Sequence, residues 1–91
     1  MTNLEYLAKD LHMEPEALLR ASLETFLKRK LKVIESELFL LARKYGVSSV
    51  VEFDKMVKEG KLHEEDSFED YFKFDNLEAE KERILNHLEQ L

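Results

Sequence analysis

Ninety-one residues with two glycines, one proline and no cysteine bound the chain to one small domain with few turns. They also exclude disulfides, thiolate chemistry and Cys-ligated zinc. Charged residues make up 37 % of the chain and hydrophobic ones 44 %, too apolar a mixture for a disordered tail. The net charge of −6 is uneven: residues 1–45 carry eight Lys and Arg against seven Asp and Glu, whereas residues 46–91 carry six against thirteen. The second half alone therefore holds −7, and such asymmetry suggests that the two halves face different partners. The longest apolar run, LFLLA at residues 38–42, is far short of a membrane span. No basic start followed by an apolar stretch marks a signal peptide. The expectation is a soluble cytoplasmic protein with no membrane partner.

Taken in chain order, Leu4, Leu7, Ala8 and Leu11 fall at helical spacing and predict a short helix over about residues 3–11. HMEP then interrupts it, and Pro15 suits the first turn of a second helix, with Glu14 as its cap. No Gly or Pro follows until Gly46. Across that interval Leu23, Leu27, Leu31, Ile34, Leu38, Leu41 and Tyr45 form one stripe, and Phe26, Val33 and Leu40 add a flanking row at sevens. A helix over about 15–45 would be roughly 47 Å long, so it needs something long to lie against. Gly46 is the expected stop.

Ser49 followed by Glu52 reads as a capping box for a third helix over about 49–59, with Val50, Phe53, Met56 and Val57 as its apolar face and Gly60 as its end. A fourth helix, about 66–90, is expected to start at Asp66 or Ser67, where acidic capping pairs accumulate. It continues through Phe68, Tyr71, Phe72, Leu77, Ile84, Leu85, Leu88 and Leu91. The reading is all-α, one domain over 1–91. Two long helices form an antiparallel hairpin, with Phe68 and Phe72 expected to face the long helix. The first half dimerises and the acidic second half binds a partner. Leu19, Leu23, Phe26 and Leu27 are the expected dimer contacts.

Enzymatic signatures are missing from the pattern. His12, His63 and His87 form no i, i+4 pair, and two glycines cannot build a phosphate loop. Close carboxylate pairs are inevitable among twenty Asp and Glu, and the span 66–78 lacks the alternating ligands and central Gly of a calcium loop. No catalytic residue, metal or cofactor is expected. Lys28, Arg29, Lys30 and Lys32 form a basic cluster that would suit phosphate contacts.

Residues 4–31, LEYLAKDLHMEPEALLRASLETFLKRKL, resemble the helical part of ribbon-helix-helix regulators. The resemblance implies an intertwined homodimer. Met1, Thr2 and Asn3 are too few for that family's β-ribbon, and Glu14 stands in place of its usual Ser or Thr cap, so groove readout does not carry over. Residues 41–78 resemble small prokaryotic antitoxin-like proteins through Lys44, Tyr45, Gly46, Ser49, Phe53, Gly60, Leu62, Asp66, Phe68, Glu69, Asp70 and Tyr71. This resemblance implies a non-enzymatic protein that neutralises a basic, toxin-like partner. Phe68, Asp70, Tyr71 and Phe74 are its expected contacts. The alternatives are a DNA-binding regulator acting through Lys28 to Lys32, or a purely structural helical dimer.

Overall fold

The computed structural model describes residues 3–60 and 64–91. Among them the chain forms four helices and no strand: α1 Leu4–Asp10, α2 Pro15–Tyr45, α3 Val50–Lys58 and α4 Glu64–Glu89. The all-α reading and the long–short alternation hold, with α2 spanning the residues that its punctuation indicates. Helix α4 begins two residues before Asp66. The capping side chains expected at Asp66 and Ser67, and the positions of Leu62 and His63, lie outside the described residues.

Helices α2 and α4 pack antiparallel. Asp70 meets Lys44 and Tyr45 at one end of the pair, and Lys81 lies 3.8 Å from Glu35 further along. Between them Ile34, Leu38, Leu41, Phe74, Leu77 and Ile84 are buried, with Leu27, Leu31 and Leu88 packed against the same core. The face of α4 that meets α2 thus runs Tyr71, Phe74, Leu77, Lys81, Ile84, Leu88, in steps of three and four. Lys81 fits such a stripe because its stem can lie on apolar surface while its ammonium reaches Glu35.

This stripe corrects one expectation. Phe68 and Phe72 do not face the long helix; both are exposed, and Phe74 takes the core position at 1 % exposure. Successive residues on a helix diverge by 100°, so a stripe through Phe74 and Leu77 turns Phe68 and Phe72 outward.

Helix α3 folds back onto α4 and inserts Phe53, which is fully buried. Val50, Met56 and Val57 complete its inner face as expected. Two turns set its position. Gly46 takes φ 67° and ends α2, while Val47 N–H donates to the Ala42 carbonyl at 2.9 Å and the Val47 side chain is buried. That combination is a Schellman closure with its hydrophobic contact. Ser49 Oγ then accepts from Glu52 N–H at 3.3 Å. The Glu52 carboxylate returns to Ser48, accepting from its N–H at 2.7 Å and its hydroxyl at 3.0 Å. The capping box is therefore closed one residue earlier than the sequence suggests.

Helix α1 packs on the N-terminal part of α2 and buries Ala8, while Leu7 and Leu11 stay exposed. Its end repeats the Schellman pattern: Met13 N–H reaches the Ala8 carbonyl at 2.8 Å and His12 N–H reaches Lys9 at 3.1 Å. Here the left-handed position is held by His12, at φ 56°. At the α2–α4 register, the end of α4 comes level with about Phe26, so the first turns of α2 overhang it. The result is a rod of 60 × 21 × 20 Å with a radius of gyration of 18.9 Å. A compact chain of this length would have about 12 Å.

Two of the left-handed positions, His12 and Gly46, generate a pair of opposed outcomes. His12→Gly is expected to raise stability by about 0.5–1 kcal/mol, because it removes the Cβ penalty of the left-handed conformation. Gly46→Ala introduces that penalty where an added Cβ meets nothing within 4 Å, so a loss of about 1 kcal/mol is expected from conformation alone. Chemical denaturation of both variants checks the signs. Equal effects would mean that neither turn is strained as described.

Candidate functional site

The residues that carry the acidic half's chemistry meet around Phe53. The Tyr45 ring stands edge-on to it at 4.4 Å, and Tyr71 and Phe74 lie nearly parallel to it at 5.8 and 6.0 Å. Helix α2 supplies Tyr45, α3 supplies Phe53, and α4 supplies Tyr71 and Phe74, so the cluster locks three helices together. Aromatic pairs at these separations contribute about 0.5–1.5 kcal/mol each beyond area burial.

Two ionic groups flank the rings. On one side, Asp70 Oδ2 accepts from Lys44 Nζ at 2.7 Å and from the Tyr45 hydroxyl at 2.5 Å. Those bonds, Lys44's first, hold the Asp70 carboxyl below its ordinary range. Burial, and then Asp70, push Tyr45 up. On the other side Lys58 lies 3.0 Å from Asp54 and lowers it, and the Tyr71 hydroxyl faces the same carboxylate. The nearby Asp54 carboxylate, with burial behind it, raises Tyr71. Both tyrosines are moved away from the tyrosinate form, which is the opposite of what an activated nucleophile or base requires. The arrangement clamps helices.

The expected contact residues divide accordingly. Phe74 is corrected from partner contact to core. Asp70 and Tyr71 are half-buried and already hold α2 and α3. Phe68, expected both as a contact and against the long helix, is exposed, and Phe72, also expected against the long helix, joins it. Phe72 packs edge-on against Tyr71 at 5.7 Å, so its ring is propped outward on the clamp. The row that turns inward runs Tyr71, Phe74, Leu77 in steps of three, while Phe68 and Phe72 offer a second row one turn apart that the sequence does not distinguish from it.

Of the expected dimer contacts, Leu19, Leu23 and Phe26 are exposed, but Leu27 packs against the α2–α4 core. The basic cluster is split by the helix itself. Lys28 pairs with Glu24 at 2.7 Å, and Lys30 points towards α4, 3.6 Å from Glu80. Arg29 and Lys32 are exposed. An open groove of about 690 Å³ runs beside the end of α2, with Phe39, Arg43, Ser48, Glu78 and Lys81 on its walls. Among the described residues no group of three or more His, Asp or Glu converges on a point. No described helix is long and apolar enough to cross a membrane.

The clamp has a defined pH dependence. Asp70's folded pKa is depressed, so its contribution is present above the unfolded carboxylate value of about 3.9. It is lost as pH falls through the lower folded value. Asp70→Asn is expected to lower stability at pH 7 by about 1–2 kcal/mol. The gap to wild type should narrow between pH 7 and an acidic pH below the unfolded carboxylate value. Urea titrations at the two pH values test this, and an unchanged gap would show that the carboxylate's charge is not its source.

No curated protein and no solved structure shows a significant match to the chain. A family model described as "Uncharacterized protein MJ0235 family" matches residues 1–91. The chain belongs to that family along its whole length.

Proposed function

We propose that the protein is a non-enzymatic interaction module, an antitoxin-like component whose acidic half receives a basic protein partner and whose first half pairs with a second copy. The observation that carries this reading is the outer face of α4. Phe68 and Phe72 are exposed one turn apart, and Glu69 and Asp75 are exposed beside them. Carboxylates around two rings suit a cationic surface: the charges steer the encounter, and the rings anchor it once water is expelled. The clamp beneath holds this face in place, since Tyr71 props Phe72 while facing Asp54 of α3. Asp70 and Tyr71 therefore serve the interaction by positioning α4.

The regulator alternative rests on Arg29 and Lys32, the two members of the basic cluster that face away from α4 and lack Lys28's neighbouring carboxylate. Two such side chains per copy make a small phosphate footprint. A purely structural dimer would need neither face of α4.

Co-expression with the product of the adjacent gene tests the proposal. Wild type is expected to form a complex that weakens as salt rises and to relieve the product's toxicity. A Phe68→Ala, Phe72→Ala double variant is expected to keep its helix content by circular dichroism and to bind at least about 100-fold more weakly, two anchors at about 1.5 kcal/mol or more each. Absence of a complex with wild type, or full binding by the double variant, would sink the reading. A mobility shift on DNA at low salt that Arg29→Ala abolishes would favour the regulator instead.

A further inference from the structure

Helix α2 carries a second apolar row that its own chain leaves bare. Leu19, Phe26, Val33 and Leu40 stand seven apart, nearly one above another. The last three are 61 %, 59 % and 65 % exposed. The whole molecule exposes 7428 Å², whereas a compact chain of 10.8 kDa would expose about 5,500 Å². The excess exceeds the roughly 800 Å² that each partner buries in an ordinary stable interface.

The flanks of the row identify what covers it. Three residues after each row position come Ser22, Arg29, Ser36 and Arg43. Four residues after come Leu23, Lys30, Glu37 and Lys44, on the flank that adjoins α4, where Lys30 nears Glu80 and Lys44 binds Asp70. Two copies of α2 laid parallel would bring each flank against the opposite one at the same height. Arg29 would then lie beside Lys30 of the second copy, and Arg43 beside Lys44, which is repulsive. Laid antiparallel, each flank meets its own kind reversed.

With Val33 on the two-fold axis, Phe26 falls opposite Leu40 of the second copy and Lys30 opposite Glu37, and both pairings occur twice. Arg29 then falls opposite Ser36, Arg43 opposite Ser22 and Lys44 opposite Leu23, so no like charges are paired. The overlap runs from about residue 21 to the end of α2 in each copy, about 37 Å.

We infer that a second copy of this chain docks antiparallel along the Phe26–Val33–Leu40 row, with Val33 at the two-fold axis and reciprocal Lys30–Glu37 pairs beside it. This rests on the self-association in the reading above and does not depend on what α4 binds. It also places the interface beyond the four residues that the sequence indicated: only Phe26 is central to it, Leu23 is at its edge, Leu19 lies past the helical overlap, and Leu27 is in the core.

The chain has no cysteine, so a single introduced thiol reports on the axis. Val33→Cys is expected to oxidise to a covalent dimer at micromolar concentration, while Lys32→Cys and Thr25→Cys stay monomeric on denaturing gels. By sedimentation, Glu37→Lys is expected to weaken the dimer about tenfold or more, since two symmetric pairs turn repulsive. Lys30→Glu should do the same, and the two changes combined should restore affinity to within about threefold of wild type. Glu37→Lys is the cleaner single change, because Lys30 also neighbours Glu80. A wild-type monomer at micromolar concentration would overturn both this interface and self-association. A wild-type dimer in which Val33→Cys fails to cross-link, or in which the combined reversal does not rescue, would overturn this interface and leave self-association standing. Retained binding of the basic partner by Glu37→Lys is expected in every case and separates failure here from failure at α4.

Discussion

The structure depends on one mismatch of length. Helix α2 has 31 residues and an apolar stripe that needs cover, and helix α4, with 26, supplies it. Burial of a large apolar side chain in that contact contributes about 1.5–3 kcal/mol, enough to make the hairpin the dominant element of a small fold. But two helices side by side cover each other on one face only. The pair is therefore a rod, with its other faces open unless something else lies on them. Helix α1 covers part of the overhang and α3 caps the opposite end. The middle of α2's far side is left with Phe26, Val33 and Leu40 in water.

The α3 end is the better consolidated of the two. Phe53 enters between α2 and α4 and contacts rings from both, and the polar tips of two of those rings reach carboxylates at the rim. This division of labour follows from tyrosine's chemistry, since its body is apolar and its hydroxyl requires a partner when half-buried. Asp70 satisfies the Tyr45 hydroxyl, Asp54 lies near that of Tyr71, and each carboxylate also holds a lysine. Part of the acidic character of the second half is thus consumed internally. Glu69 and Asp75, beside Phe68 and Phe72, stay exposed on the outer face of α4.

Much of this was legible in the sequence, and the failures have one physical origin. Helix α2 was readable to the residue because Pro15 and Gly46 mark its ends and nothing between them interrupts a stripe of steps of three and four. The inner face of α3 and its Ser49 cap followed from equally local signals. What could not be read was which of several apolar rows on one helix faces inward. Helix α4 offers Phe68, Tyr71, Phe72 and Phe74 within two turns, and no single face can hold all four. Phe53 decides the matter, since its ring selects Tyr71 and Phe74 as stacking neighbours, and that choice is tertiary. Similarly, Lys28 to Lys32 looked like one basic patch because the sequence is linear. On a helix, Lys30 turns to α4 while Arg29 and Lys32 turn away.

The same reasoning explains why the bare row of α2 is not ordinary surface. Single exposed leucines are common on small proteins and require no explanation. A row of large side chains at sevens is different, because its period is that of a helix meeting another helix over several turns. Val33 and Leu40 gain nothing from the chain's own core, and a β-branched residue at an exposed helical site has poorer intrinsic helix propensity than alanine or lysine. Nor does the row run into the acidic face: it lies on the basic half, whose flanking charges alternate with serine on one side and with opposite charge on the other. A helix surface patterned in this way is self-complementary when reversed and self-repelling when parallel. That distinction is what makes the apolar row and the charge pattern fit the antiparallel second copy proposed above.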